Sequence, residues 1–218
     1  MVVFFDIETT GLVASSKFVC AVILTDGGVL SFATADEVIE WILTSDETIV
    51  SWNGLAFDFK FLFDRCQCEQ TKARLAFAAV NRHVDIMFDF MVSNGYPASM
   101  QSFATPLGHS KSWSGAEAAT SEDYDAIVAY CKDDVAVLKQ IYTAGLAQGW
   151  LARMTKANKK VVWVLHYDQQ HGTPYVRNCI DCLNTLGRTP PNQSWMTDPI
   201  RIPDTVAWAT DSVRQCLK

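Results

Sequence analysis

The chain begins with a nearly unbroken apolar run, MVVFFDIE, rich in Val and Phe, which is the pattern of a central strand covered on both faces. TTG breaks it. KFVCAVILTD and GVLSFAT follow, separated by DGG, and are expected to pair as a hairpin with Asp26-Gly27 at the turn. TADE is a capping box, Thr34 as cap and Glu37 three residues on, and starts a helix through EVIEWILTS. TIVSW is a further short strand. The periodicity predicts helices over FDFKFLFDRC, QTKARLAFAAV, HVDIMFDFMV and ASMQSFATPLG, with Pro97 and Gly108 as punctuation. A long helix is expected from Thr120 to about Gly145, its apolar stripe formed by Ile127, Cys131, Val135, Leu138 and Tyr142. Beyond Trp150 the pattern weakens. KANKKVVWVLHYD alternates enough for a strand, RTPPNQSW is a loop, and DTVAWATDSVRQCLK is a closing helix. Strands first and helices after predict an α/β domain over residues 1–148, a mixed central sheet flanked by helices, with residues 149–218 as an extension of mixed structure.

Composition adds two things. With 49% hydrophobic and 19% charged residues the chain is of globular type, and no apolar run approaches the about 18 residues of a membrane span. The N-terminus lacks a basic start and a small-residue cleavage site, so a cytoplasmic protein is expected. The net charge of −6 is unevenly placed: residues 1–148 hold 9 Lys/Arg against 19 Asp/Glu, and residues 149–218 hold 9 against 5. An acidic body with a basic extension suits a protein that holds cations in a carboxylate site and a polyanion on a separate surface.

The acids in the first strand carry the chemistry. Side chains two apart on a strand share a face, so Asp6 and Glu8 lie together in an apolar run, where they repel and resist burial. A divalent cation would compensate them, and Mg²⁺ takes oxygen ligands. Two further carboxylates are candidates: Asp58 in WNGLAFDFKFL, placed by a strand-to-helix loop at the sheet edge, and Asp134 in YCKDDV, one turn from Tyr130 on the same helix face. Asp133 is an alternative to Asp134 if the helix register differs. Asp85 in HVDIM is expected to be structural, and His83 and His109 receive no role.

D-x-E-T-T-G-L, then N-x-x-x-F-D, then Y-x-x-x-D resembles, in this order, the DEDD superfamily of 3′–5′ exonucleases in its tyrosine variant, which is DnaQ-like, has a ribonuclease H-like fold and includes the proofreading domains of DNA polymerases. The likeness covers about residues 1–145; the histidine of the other variant is replaced by Ala129. The resemblance implies a free-standing exonuclease of a kind met in phages and bacteria. Two divalent cations, Mg²⁺ or Mn²⁺, would sit about 3.5–4 Å apart on Asp6, Glu8, Asp58 and Asp134. Tyr130 would orient the attacking water. Thr9, Thr10, Gly11, Leu12, Asn53 and Phe57 would bind the 3′ end. The implied partner is single-stranded DNA, with RNA left open, and a monomer is expected. A third possibility, an inactive nucleic-acid-binding or polymerase-partner module, is disfavoured by the intact acid set.

The extension holds four of the seven Trp, with Arg153, Lys156, Lys159 and Lys160. Such a mixture suits an arm that grips a single strand, by stacking and by charge, and equally suits Trp packed on the core with solvated cations. Cys179 and Cys182 form a C-x-x-C that, with His166 and His171, raises zinc as an option; two small apolar residues on a short helix are the plainer reading.

Overall fold

The computed structural model describes residues 1–11, 15–109, 117, 120–188 and 208. Leu12, the loop over residues 189–195 and the closing helix apart from Trp208 lie outside them.

Five strands form the main sheet in the order β3-β2-β1-β4-β5, with β1 at Val2–Thr9, β2 at Phe18–Thr25, β3 at Gly28–Phe32, β4 at Thr48–Ser51 and β5 at His83–Asp85. β1 pairs antiparallel with β2, and parallel with β4, which pairs parallel with β5. The mixed sheet flanked by helices is the fold expected. The hairpin closes at Thr25 and Gly28, leaving Asp26-Gly27 as the two turn residues. The capping box at Thr34 and Glu37 is formed, and α1 runs over Ala35–Thr44.

α2 (Asp58–Arg65) and α3 (Glu69–Asn81) join α1 on one face of the sheet. There they cover Val3, Phe5, Ile7, Ala21 and Ile23. α4 (Ile86–Asn94) follows β5, and then come α5 (Met100–Ala104) and a 3₁₀ turn at Thr105–Leu107. α6 (Tyr124–Gln148) covers the other face, where Phe4, Cys20 and Val22 meet Ile127, Cys131, Val135 and Leu138. Phe4 shares its face with Asp6 and Glu8 by the two-residue period, so both acids look toward α6.

Three boundaries differ from expectation. His83–Asp85, expected within a helix, is the strand β5: it completes the sheet beside β4, and the helix starts only after Asp85, whose side chain caps it through Phe88 N–H. The long helix starts at Tyr124, where the Asp123 side chain caps Ala126 N–H. It runs past Gly145 to Gln148. A Cβ on Gly145 would meet Leu151 and Leu165 at 3.1–3.2 Å, so this glycine permits a close approach and does not end the helix. Gly149, at φ +75, provides the stop.

The extension is packed into both core faces. β6 (Trp150–Met154) pairs with β7 (Lys160–Val164), and a second short pair joins β8 (His166–Tyr167) to β9 (Pro174–Tyr175). Leu151, Trp163, Leu165 and Val176 enter the α6 side, while Cys179 and Cys182 of α7 (Cys179–Arg188) enter the other. Asp89, wholly buried, accepts from Arg177 Nε at 2.7 Å and Arg177 N–H at 2.9 Å, which ties this segment to α4.

His83 is buried and neutral between β5, α3 and α7. Ala79 O, 3.2 Å from Nδ1, can only accept, so Nδ1 carries the proton and Nε2 accepts from Ser51 Oγ at 2.7 Å. Burial pushes the imidazole down to about 3 from 6.5. A folded-state value below the unfolded one gives stability that is present above pH 6.5 and lost as pH falls toward 3. Between pH 7 and 5 the loss from this group amounts to about 2 kcal/mol. His83→Gln removes it, so in urea unfolding the stability gap between wild type and variant should narrow by that amount over this interval. Parallel pH profiles would refute the assignment.

Candidate active site

The site forms where β1 outruns β4. Their pairing ends at Phe4–Val50, and beyond it Ile7 N–H donates to Asp58 Oδ1 at 3.0 Å. Asp58 is the first residue of α2 and only 3% exposed. Burial, then the charge of Asp6, holds its carboxyl well above the usual carboxylate range. The helix start that aims Asp58 is itself held by Asp85. Its Oδ1 accepts from Asn53 N–H, its Oδ2 accepts from Leu55 N–H, both at 2.9 Å, and Oδ1 also accepts from Phe88 N–H at 3.0 Å. Asp85 is therefore structural. Burial pushes its pKa up to about 6 against these donors. Asn53 takes a left-handed conformation, φ +66, which asparagine tolerates better than most residues, and its carbonyl accepts from Phe57 N–H at 3.0 Å.

Asp6 and Glu8 are half-buried on the α6 side of β1. Burial pushes Glu8 up to about 10, helped in turn by the charges of Asp6, Asp134, Cys20 and Asp58. Acids from three separate stretches thus act on one carboxyl. Asp134 is buried, whereas Asp133 is exposed on the outer side of α6. Tyr130 hydrogen-bonds the Asp134 carboxylate, and burial with the charges of Asp134 and Glu8 raises its phenol far above the ordinary value. At neutral pH this hydroxyl stays protonated, which suits it to hold a water rather than deprotonate one.

The turn after β1 is built from its own side chains. A register shift falls between Glu8 and Thr9. Thr9 Oγ1 donates to Gly11 O at 2.6 Å. Thr10 N–H donates to Lys17 O at 3.0 Å, and Thr10 Oγ1 accepts from Lys17 N–H at 2.9 Å. The N–H and the hydroxyl of Thr10 are thus both engaged with Lys17. Phe57 is half-buried beside Phe61, with ring centroids 6.1 Å apart.

One member of the site was read only as part of an apolar stripe. Cys131 Sγ lies 3.5 Å from Asp6 Oδ2 and 3.6 Å from Asp6 O. Among the described residues, Asp6, Glu8 and Cys131 are the group whose ligand atoms all lie within 4.8 Å of one another. The sequence signal was present: Cys131 adjoins Tyr130 and precedes Asp134 by three residues, so it shares their inward face.

The zinc option at Cys179 and Cys182 is not formed among the described residues. Both thiols are fully buried in the apolar core. His166 Nε2 instead lies 3.3 Å from Asp89, and His171 Nδ1 lies 3.1 Å from Asp168. Of the extension's tryptophans, Trp163 packs edge-on against Phe90 at 5.4 Å, and Trp208 packs tilted against Phe63 at 4.8 Å while donating to Leu55 O. Trp150 is half-buried with Lys160 Nζ 5.5 Å from its ring centre. Arg153 donates to Tyr96 Oη, and Lys156, Lys159 and Lys160 are exposed.

A mixed five-stranded sheet with acids from β1, the start of α2 and the body of α6 defines a ribonuclease H-like protein. The family model of the RNase H superfamily matches residues 3–145, and the chain belongs to that superfamily. Among solved structures, the family B DNA polymerase of the archaeon Pyrobaculum calidifontis is similar at 17% identity and TM-score 0.49, over 66% of this chain and 24% of that one. Exonuclease I is similar at 11% identity and TM-score 0.40, over 99% of this chain and 70% of that one. A zinc-bound complex of Escherichia coli exonuclease I with single-stranded DNA gives 11% identity and TM-score 0.40, over 98% and 70%. No curated protein sequence matches the chain. No described helix is long and apolar enough to cross a membrane.

Proposed function

We propose that the protein is a metal-dependent 3′–5′ exonuclease that removes 5′-mononucleotides from single-stranded DNA. The observation that carries this reading is the crowding of Asp6, Asp134 and Asp58 on a half-buried Glu8, whose carboxyl is pushed up to about 10 by burial first and by those charges after it. Such a set is costly as it stands and is relieved by divalent cations, and its oxygen donors fit Mg²⁺ or Mn²⁺. Asp6, Glu8, Asp58 and Asp134 would hold them. Two bound cations would supply an activated water and neutralise charge on the attacked phosphate and the leaving oxygen.

The chain's own groups do the rest. Ile7 N–H and the start of α2 fix Asp58 against β1. The protonated Tyr130 hydroxyl, anchored on Asp134, would orient the attacking water. Asn53, Phe57 and the turn at Thr9–Gly11, with Leu12 after it, would seat the terminal nucleotide. Membership of the RNase H superfamily and the order of the three acidic motifs support this assignment.

The test is digestion of 5′-labelled DNA and RNA oligomers, side by side, with Mg²⁺ or Mn²⁺ and with EDTA. A ladder that shortens from the 3′ end of DNA and stops with EDTA is expected. RNA cut faster than DNA would overturn the substrate, and no metal-dependent product would sink the enzyme. Tyr130→Phe should slow kcat by roughly ten- to hundredfold, the cost of lost positioning, with little change in KM. A variant as damaged as one lacking Asp6 would contradict a role confined to positioning.

A further inference from the structure

We infer that Cys131 is a third ligand of the carboxylate site and makes it a trap for thiophilic divalent cations such as Zn²⁺ and Cd²⁺, in competition with Mg²⁺. The inference rests on the reading of Asp6 and Glu8 as cation ligands and adds to it a sulfur donor, which changes which ions the site prefers.

The geometry is that of one coordination sphere. Sγ, an Asp6 oxygen and a Glu8 oxygen lie within 4.8 Å of one another. A tetrahedral ion with bonds of about 2.0 Å to oxygen and about 2.3 Å to sulfur would hold those two donors about 3.5 Å apart. The observed separation of Cys131 Sγ and Asp6 Oδ2 is 3.5 Å, so these two donors already stand at the required edge length. Both are placed by rigid elements: Asp6 pairs with Val22 inside the sheet, and Cys131 lies one turn above Asp134 in α6. Cys131 has no exposed surface, so the backbone and its neighbours fix where the sulfur points.

Carboxylate oxygens alone favour hard ions; a thiolate favours soft ones. On capture any proton on the three donors, that of the Cys131 thiol included, leaves to solvent, and Sγ bonds the cation through the pair it releases. Nothing is oxidised or reduced. The site would then hold Zn²⁺ or Cd²⁺ on two oxygens and a sulfur, while Mg²⁺ uses the oxygens only. Cys20, which faces Glu8 across the β1–β2 pair and hydrogen-bonds Cys131, is outside the three-donor group and is the neighbouring thiol that serves as control.

The experiment titrates the protein with Cd²⁺ alone and follows the ultraviolet sulfur-to-cadmium charge-transfer band and the protons released in weak buffer. One tight equivalent is expected, with a band and protons released as the ion binds. Cys131→Ser should weaken that equivalent by at least about tenfold and remove its band, while Cys20→Ser and the exposed Cys68→Ser keep both. Cys131→Ala provides the same reading if the serine variant fails to fold. Binding of Mg²⁺, followed as a shift in Tm, should change less than about threefold in apparent affinity in either variant, because its ligands are oxygens. A band that survives Cys131→Ser and Cys131→Ala, or one lost equally in Cys68→Ser, overturns the inference. Failure of Mg²⁺ or Mn²⁺ to shift Tm in the wild type would instead count against the nuclease reading, whatever Cd²⁺ does.

Discussion

Asp6→Asn should lower the rate of metal-dependent hydrolysis by about 10³-fold and, at the same time, raise the Tm of the metal-free protein. The two effects have one cause. Asp6 is the acid that the others feel: its charge is the largest neighbouring contribution on Glu8 and on Asp58, and it also bears on Tyr130 and Cys131. In the metal-free protein this is repulsion between partly buried carboxyls, and an amide of the same shape removes it. A gain of about 1 kcal/mol, or roughly 2–4 °C, is expected for a chain of this size. With cations bound, the same charge holds the ions, so its loss removes the electrostatic stabilisation on which hydrolysis depends; removing a single well-placed group of this kind typically costs 10²–10³-fold, and a shared ligand belongs at the upper end. The amide can still accept from Cys131, so the fold of β1 against α6 is kept. Calorimetry of metal-free protein and single-turnover digestion with Mg²⁺ measure the two halves. A variant that loses both stability and activity would mean that Asp6 is a structural acid, and the cation reading of the site would fall.

What the sequence made legible was whatever its short-range chemistry dictates. The apolar run of β1, the two-residue turn at Asp26-Gly27, the box at Thr34 and Glu37 and the inward stripe of α6 each depend on neighbours within four residues. Each stands where expected. The acids were legible for the same reason, since Asp6 with Glu8 and Tyr130 with Asp134 are pairs at strand and helix spacing. β5 was not: three apolar-flanked residues carry no period, and only the β4 edge decides that His83–Asp85 is extended. Gly145 reads as a helix stop until Leu151 and Leu165 are known to press against it. Cys131 has the right spacing, yet a thiol among Ile127, Val135 and Leu138 has the hydrophobicity of its neighbours; the partner that distinguishes it, Asp6, is 125 positions away.

Arg177→Ala should destabilise the protein by about 3–4 kcal/mol, the second large effect, and it comes from a contact that no local pattern announces. Asp89 is wholly buried on α4, and Arg177, 88 positions later, meets it with Nε and Nη2, both at 2.7 Å. The same guanidinium donates from Nη1 to Thr185 Oγ1 at 3.0 Å and from Nη2 to Ser93 Oγ at 2.9 Å. Truncation leaves a buried carboxylate with the Arg177 backbone N–H and His166 but without its cation. Breaking a buried pair in this way costs about 3–5 kcal/mol, and the surviving backbone bond places the result at the lower end, a fall in Tm of roughly 8–12 °C. Adding Asp89→Asn to the variant removes the stranded charge and should restore part of the loss, so a double-mutant cycle in urea should show a coupling of at least about 1 kcal/mol. Additive losses would show that the pair is not coupled. The consequence for the site is indirect. Asp85, which fixes the turn that aims Asp58, caps the same α4 that carries Asp89 one turn later. While the variant stays folded that cap is intact, so hydrolysis per folded molecule should match the wild type below the new Tm. A loss of kcat in folded protein would mean instead that the segment after Trp150 acts on the site itself.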